Sequence, residues 1–349
     1  MNELTSDLNN MMQCLLLASQ GQGYVSPNPL VGAMIVYKGE MIGAGYHQQY
    51  GTAHAEVNCM ESVQPNHVDK IKDSVLYVNL EPCNHHGKTP PCTDLIIKSG
   101  IKKVVIGSRD PNILVNGSGI EKLKEAGIEI VENILHEQCQ AVNRRFFTYQ
   151  QKKRPYIILK WAETADGFVA NEDKSTLSIS EDAANKMNHT WRSQEDAILV
   201  GFNTVCIDNP QLNVRHVAAR NPVRIIWDAE NKLPNDRNVF DGTQATIIIN
   251  SQIEKIEKST AWVKLNSIEE IIFYLYEHKT LSFIVEGGPK TIQQFIDANL
   301  WDEARIIKSN KNIGKGYAAT QLSNHTFLYD DPKGNDTILY YKNNNNMYL

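Results

Sequence analysis

The sequence predicts two α/β domains in tandem, and three observations carry that expectation. Short apolar runs of strand length alternate with amphipathic helical segments along both halves of the chain. A polar, basic run, Gln150-Gln151-Lys152-Lys153-Arg154-Pro155, ends in proline after a helical pattern and reads as a hinge between residues 1–150 and 151–349. At 349 residues the chain is long for one domain, and 42% hydrophobic composition is enough for two cores.

In the first half, residues 7–20 read as an amphipathic helix, with Leu8, Met11, Met12, Leu15 and Leu16 near helical spacing. Val31–Tyr37 and Met41–Gly45 read as short strands around the hairpin break Lys38-Gly39-Glu40. A helix over Ala55–Val63 follows, then strand Ser74–Leu80 and helix Cys92–Ser99, closed by Gly100. Strand Lys103–Gly107, helix Ile120–Ala126, strand Ile128–Val131 and helix His136–Gln150 complete the half. Strand Ser74–Leu80 delivers Glu81-Pro82-Cys83 at its carboxyl end, where open α/β sheets place ligands.

The second half restarts with strand Tyr156–Lys160 and a turn at Thr164-Ala165-Asp166-Gly167. Ser180 is a candidate cap for a helix over Glu181–Ser193, followed by strand Ala197–Val200, a short helix after Gly201 and the turn Asp208-Asn209-Pro210. Val223–Trp227, Ala245–Asn250, Ser282–Val285 and Glu303–Lys308 read as strands, with helices Ile268–Glu277 and Lys290–Ala298 between them. Glu286-Gly287-Gly288-Pro289-Lys290-Thr291 leaves a strand and opens a helix, where glycine amides and the helix start favour a phosphate. No G-x-G-x-x-G follows the first strand of this half, which argues against a Rossmann domain. The Asn-rich end, Asn343–Asn346, reads as a disordered tail.

The sharpest chemistry lies in His54-Ala55-Glu56 and Pro82-Cys83…Pro91-Cys92. One imidazole and two thiolates fill three tetrahedral positions on zinc and leave the fourth for water, the arrangement of zinc deaminases. Two thiolates bring the metal close to neutrality, so a carboxylate is needed to take the proton, and Glu56 is the candidate. Residues two apart lie on nearly opposite faces of a helix. His54 and Glu56 can therefore share a site only at a helix start. Cys92 also opens a helix, which favours its thiolate. His85 and His86 are rival ligands in principle, but three protein ligands suffice and both are assigned to the surroundings.

Charge and cysteine usage narrow the class. A net charge of −5 argues against a broad nucleic-acid footprint. Cys14, Cys59, Cys83, Cys92, Cys139 and Cys206 have no disulfide-framework rhythm, which with two assigned to metal points to a reducing, cytoplasmic setting. The N-terminus does not read as a signal peptide, and no apolar run approaches a membrane span.

The inter-cysteine insert Asn84-His85-His86-Gly87-Lys88-Thr89-Pro90-Pro91, where cytidine and nucleic-acid deaminases carry Cys-x-x-Cys, is one mark of a family. With Ser26-Pro27-Asn28-Pro29-Leu30-Val31-Gly32 upstream, it closely resembles the deaminase domain of the bifunctional riboflavin-biosynthesis deaminase/reductase, the RibD family. That resemblance implies a cytidine-deaminase-like α/β/α layer fold for the first domain. It puts Asn28, His47, Lys88, Asp110 and Asn112 at substrate-contacting positions, with Lys88 suited to a phosphate. By their residue types alone, Asn28 and Asp110 are turn formers.

Lys160…Asp166-Gly167, Ala197-Ile198-Leu199-Val200-Gly201…Thr204-Val205…Asp208-Asn209-Pro210…Leu212…Arg215 and Glu286-Gly287-Gly288-Pro289 resemble the same family's reductase domain. The implied fold is dihydrofolate-reductase-like α/β and the implied cofactor NADPH. The resemblance places the cofactor against Lys160, Glu163, Leu177, Thr204, Asp208, Gly288, Pro289, Lys290, Thr291, Ile292, Gln293 and Gln294. It places Ser175, Arg192, Leu212, Arg215 and Glu286 at the substrate, with both arginines suited to a 5′-phosphate. One departure stands in Ser175-Thr176-Leu177-Ser178-Ile179-Ser180, where many members have Ser-x-Trp-Ile-Thr and an aromatic platform for the cofactor.

The expected function is zinc-dependent deamination of a diaminopyrimidine ribosyl phosphate, then NADPH-dependent reduction of ribosyl to ribityl. The expected partners are small pyrimidine ribosyl phosphates and further copies of the chain, with no nucleic acid or membrane. Two rivals are a zinc deaminase of another nucleoside or base, and a structural zinc protein with a degenerate nucleotide-binding module. The long insert and the acidic balance disfavour the first, and Glu56 disfavours the second.

Overall fold

The computed structural model describes residues 3–85, 90–112, 115–173, 175 and 177–345. The chain divides into two compact units, the first running to Lys152 and the second starting at Lys153.

In the first unit, helix α1 (Glu3–Ser19) precedes the hairpin β1 (Gly32–Tyr37) and β2 (Glu40–Tyr46). Then come α2 (Ala55–Glu61), β3 (Val75–Leu80), α3 (Cys92–Ser99), β4 (Lys103–Ser108), α4 (Ser118–Glu125), β5 (Glu129–Val131), α5 (His136–Val142) and α6 (Arg144–Lys152). The five strands form one sheet in the order β2-β1-β3-β4-β5. β3, β4 and β5 run parallel, while β1 is antiparallel to both β2 and β3.

Strand side chains alternate between two buried faces, as a period of two demands. Ala33, Ile35, Leu76, Val78, Val104 and Ile106 pack with α2, α3 and α4 residues such as Cys59, Ile96 and Ile120. Met34, Val36, Tyr77 and Val105 pack with Met11, Cys14 and Leu15 of α1 and Cys139 of α5. The result is an α/β/α sandwich. Close approach of α2 to β2 requires glycine: a Cβ at Gly45 would lie 2.4 Å from Cys59 N, and one at Gly43 2.7 Å from the Val63 side chain.

In the second unit, β6 (Tyr156–Glu163) and β7 (Phe168–Ala170) lead to α7 (Asp182–Gln194), β8 (Ala197–Gly201), α8 (Phe202–Asp208) and β9 (Val223–Trp227). They are followed by β10 (Thr246–Asn250), β11 (Lys255–Glu257), β12 (Thr260–Lys264), α9 (Ile268–Glu277), β13 (Ser282–Val285) and α10 (Pro289–Asp297). Strands β14 (Glu303–Lys308), β15 (Tyr317–Ala318), β16 (His325–Lys333) and β17 (Asp336–Asn343) finish the unit. Ten strands form a sheet ordered β11-β12-β10-β9-β8-β13-β6-β14-β17-β16, and β7 pairs separately with β15. From β12 to β14 every pairing is parallel. Ile157, Leu159 and Trp161 of β6 join one core with α9 and α10, while Tyr156 and Ile158 join another with α7.

Four expectations need correction. The helix expected over 136–150 is two helices, because Asn143 leaves helical geometry (φ −101°, ψ 16°) and turns its amide onto Leu30. Of the apolar residues read onto the buried face of α1, only Met11 and Leu15 are buried. Leu8, Met12 and Leu16 are exposed, and Asp7, Cys14 and Ala18 complete the inner face. Ser180 does not cap α7: Glu181 holds the cap position without a side-chain bond, and the Ser180 hydroxyl binds Asn185. Asn343 is not in a tail. It ends β17, buried, with its amide nitrogen donating to Asn299 Oδ1 (2.8 Å) and the Trp301 carbonyl (3.0 Å). Asn346 lies outside the described residues.

Candidate active sites

In the first unit the candidate metal-ligating residues meet because two helices begin at the same place. His54 precedes α2 with extended backbone (φ −73°, ψ 166°), and Glu56 falls in the first turn. Cys92 is the first residue of α3, and Cys83 follows the carboxyl end of β3. His54 Nδ1 lies 3.5 Å from Cys83 Sγ and 3.4 Å from Cys92 Sγ. Tetrahedral zinc with its usual bond lengths separates such donors by about 3.5–3.8 Å. The donor set therefore fits zinc in chemistry and spacing, and among the described residues it is the cluster that could hold a metal. The Cys92 amide donates to Cys83 Sγ (3.4 Å), and hydrogen bonds from Cys92 and His54 pull the Cys83 thiol well down. The helix start does not do the same for Cys92, which gives its proton to Cys83 and is raised by that bond, by burial and by the Glu56 charge.

Glu56 is buried beside this cluster, and burial together with the Cys83 charge raises its carboxyl above the usual range. A carboxyl so placed takes up and releases protons within reach of the metal position. His47 is buried next to His54, their rings 5.4 Å apart edge to face. Its Nδ1 donates to the Ala53 carbonyl (3.0 Å), so Nε2 accepts from Asn28 Nδ2 (3.1 Å), a neutral tautomer that burial favours. Asp110 is also buried, and loss of solvent pushes its carboxyl up to about 7 against the stabilising Asn112 amide bond (2.8 Å).

A cavity of about 320 Å³ is lined by Asn28, His47, His54, Glu56, Cys83, Asp110 and Asn112, joined by His85, Tyr50, Phe146 and Gln150. Lys88 and His86 lie outside the described residues. Three residues that hold this site escaped the sequence reading. Asn79 accepts from the Gly32 amide and donates to the Leu30 carbonyl, and Asn143 accepts and donates at Leu30 in the same way. Together they clamp the loop that carries Asn28. Glu81 gathers backbone amides from the segment that carries Asp110. Asn79 read as one residue of a strand, Asn143 as one of a helix and Glu81 as a residue before proline, so only partnerships 47, 113 and 29 residues apart reveal them.

In the second unit a larger cavity, about 1160 Å³, opens at the carboxyl ends of β6, β8, β9 and β13. It is lined by Lys160, Ser175, Leu177, Thr204, Asp208, Glu286, Gly288, Pro289, Lys290, Thr291, Ile292 and Gln294. The crossing of β8 and α10 is tight: a Cβ at Gly201 would lie 2.3 Å from Thr291 Oγ1, and one at Gly287 2.7 Å from Thr291 Cβ. Gly288 N donates to Thr204 Oγ1 (3.1 Å), which fixes the glycine turn before α10. A glycine-built helix start beside a cavity of this size fits the phosphates of a dinucleotide.

Lys160, Glu286 and Arg192 form a partly buried charged triad. Arg192 donates to both Glu286 oxygens (2.9 and 2.8 Å) and to the Asn213 carbonyl (3.2 Å), and Lys160 Nζ lies 3.4 Å from Glu286. Burial alone would raise Glu286, but the two cations outweigh it and hold the carboxyl at about 2, while burial lowers Lys160. Arg192 is thus engaged with Glu286 and does not line the cavity. Arg215 is bonded to Gln211 and Asn213, and Leu212 is packed in a core, so neither lines the cavity. Glu163 accepts from Trp161 Nε1, and Gln293 donates to Asp297; they also lie off the lining. Trp227, Asp228 and Tyr317 line it without having been singled out.

A donor set fit for zinc with a carboxyl beside it in one unit, and a glycine-built helix start at a large cavity in the other, are the features of a bifunctional enzyme of the deaminase/reductase class. Residues 5–108 match the cytidine and deoxycytidylate deaminase zinc-binding region, and residues 155–329 match the RibD C-terminal domain. The riboflavin biosynthesis protein RibD of Aquifex aeolicus is 41% identical over 325 residues, 90% of each chain. The structure superposes on a Thermotoga maritima diaminohydroxyphosphoribosylaminopyrimidine deaminase/5-amino-6-(5-phosphoribosylamino)uracil reductase with TM-score 0.92 at 36% identity, covering 98% of this chain and 100% of that one. Acinetobacter baumannii RibD gives 0.90 at 27% identity, covering 97% and 99%. The chain belongs to the RibD family of bifunctional riboflavin-biosynthesis enzymes, and it has a cytidine-deaminase-like first domain and a dihydrofolate-reductase-like second. No helix among the described residues is long and apolar enough to cross a membrane.

Proposed function

We propose that the first unit deaminates a diaminohydroxyphosphoribosylaminopyrimidine and the second reduces the resulting 5-amino-6-(5-phosphoribosylamino)uracil at its ribosyl group, with zinc and NADPH as the respective cofactors. The observation that carries the first half is the spacing of His54 Nδ1 from both cysteine sulfurs with Glu56 buried beside them. Zinc held by His54, Cys83 and Cys92 supplies Lewis acidity that makes water a nucleophile near neutral pH. Glu56 would take the proton of the attacking water and deliver it to the ring nitrogen, then carry the remaining hydroxyl proton to the amine, which leaves as ammonia as the carbonyl forms, a role worth about 10²–10⁴-fold. His47, neutral and held by Ala53 and Asn28, offers no charge to repel the metal, and it fixes the Asn28 amide at the cavity wall.

In the second unit NADPH supplies the reducing equivalent. The Gly288–Thr291 turn holds phosphate, with Thr204 bracing it. Lys160 and Asp208 line the cavity where the opened sugar would sit and are the groups able to polarise it or move its proton. Arg215 and Arg192, which stand off the cavity lining, would serve the 5′-phosphate after exchanging partners: Arg215 its bonds to Gln211 and Asn213, Arg192 part of its hold on Glu286. Separate assays test the reading. Adding the diaminopyrimidine ribosyl phosphate should release ammonia, and adding the deaminated product should consume NADPH. Cytidine should release none. Ammonia from cytidine at a comparable rate, or none from the phosphate with zinc bound, overturns it.

A further inference from the structure

We propose that Glu81 is a positioning residue of the deaminase, holding the segment that presents Asp110 and Asn112 against the strand end that carries Cys83. The proposal rests on the reading of Asp110 and Asn112 as substrate contacts.

The geometry is that of a carboxylate used as a clasp. Glu81 is buried one residue past the end of β3, two before Cys83. Its Oε2 accepts from the amides of Asp110 (3.2 Å) and Gly117 (3.0 Å), and its Oε1 from those of Gly119 (3.0 Å) and Ile120 (3.3 Å). The Glu81 amide itself donates to the Ser108 carbonyl (2.9 Å). One side chain thus binds both ends of the connection from β4 to α4. A carboxylate has acceptor sites enough for four donors, and bonds to a charged acceptor are the stronger kind.

The clasp explains two glycines that the metal chemistry does not require. Gly117 adopts φ +90°, a conformation other residues avoid. A Cβ at Gly119 would lie 2.2 Å from the Pro82 carbonyl oxygen and 3.2 Å from Glu81 Oε1. The segment can therefore close on Glu81-Pro82 only with glycine there. Asn84 adds a tie from the metal side, its Nδ2 donating to the Ser118 carbonyl (3.2 Å). Because the same strand end sets Cys83, the clasp fixes the distance between the metal ligand and the Asp110 wall of the cavity.

Glutamine has nearly the same shape, but its amide nitrogen can only donate. In Glu81→Gln two of the four amides must lose their acceptor. The test is Glu81→Gln in the full-length protein, with zinc content, ammonia kinetics and NADPH consumption measured together, and Asp110→Ala as comparator. Expected are full zinc content, unchanged NADPH consumption on the deaminated intermediate, and a KM for the diaminopyrimidine phosphate raised at least tenfold with kcat changed less than threefold. The same KM rise is expected in Asp110→Ala, and the double variant should be little worse than either single. If Glu81→Gln does not fold, Gly119→Ala carries the test, since its methyl forces the segment off Pro82 and crowds Glu81 Oε1 while leaving the carboxylate itself in the chain. An Asp110→Ala effect with an unaffected KM in the clasp variant overturns the positioning role alone. Loss of zinc with a proportional fall in kcat also overturns it, by making Glu81 a support of the metal loop. A silent Asp110→Ala instead removes the substrate-contact reading, and the proposal with it.

Discussion

The two cavities neutralise buried charge by different means. In the first, about 320 Å³ in size, Glu81 is bound by backbone amides, and the thiolate of Cys83 by an amide and by neighbouring donors meant for a metal. In the second, about 1160 Å³, Glu286 is matched by the side chains of Arg192 and Lys160, brought from 94 and 126 residues away. Amide-bound charge keeps its partners as long as the backbone is in place. Side-chain pairs can exchange partners, so the reductase site is the one able to rearrange when an anionic substrate arrives. The first site is a fixed template and the second a set of exchangeable ion pairs.

The largest test of this contrast is Glu56→Gln. It should abolish ammonia release by about 10²–10⁴-fold while zinc content and NADPH consumption stay intact. Near-normal deamination by the zinc-loaded variant would remove Glu56 from the chemistry. Cys83→Ala or Cys92→Ala should instead lose the metal, as elemental analysis of the purified protein would show.

Next comes Glu286→Gln. Removing the carboxylate leaves Arg192 and Lys160 uncompensated in a partly buried site, which destabilises the fold. The melting transition of the second unit should fall, with ammonia release unchanged at temperatures below it. A variant as stable as the parent would mean the triad is solvated and its partners are not exclusive.

Arg215→Ala is expected to raise the KM for the deaminated intermediate about tenfold, the effect of roughly one lost phosphate contact of ~1.4 kcal/mol. Ammonia release from the first substrate should not change. Equal loss of both activities would mean one shared site.

The smallest effect concerns pH. Burial, with the charges of Arg192, Arg215 and His216, lowers His189 to about 4, and its Nδ1 accepts from the Arg215 amide (3.3 Å). The fold therefore refuses a proton that the unfolded chain accepts near 6.5. Stability from this group is complete above pH 6.5 and is lost as pH falls from 6.5 towards 4. His189→Asn keeps an acceptor without titrating, so its stability relative to the parent should improve steadily over that interval. A constant difference between the two would show that His189 does not carry the slope.

What could be read in advance follows the same divide. His54 and Glu56 at the start of α2, Cys92 at the start of α3 and Cys83 just past β3 were legible as candidates from residue type and interval. The β/α alternation was legible because core strands such as Val31–Tyr37 and Ser282–Val285 are short apolar runs. Strand β16 was not: His325, Phe327 and Tyr329 are exposed, so it lacks a buried face to signal itself. Asn343 looked like tail composition because the carbonyls it satisfies come from Asn299 and Trp301, over forty residues away. The engagement of Arg192 by Glu286 was invisible for the same reason.

Asn143 also decides where this chain can be cut. The zinc-binding-region match stops at residue 108, and a fragment ending there would retain all three metal ligands. It would lose Asp110, Asn112, Phe146 and Gln150 from the cavity wall, and the amide clamp on Leu30, two residues from Asn28. A fragment ending after Lys152 keeps them all. The shortest portable deaminase cassette therefore runs through the asparagine at the helix break to Gln150 in α6, well downstream of Cys92.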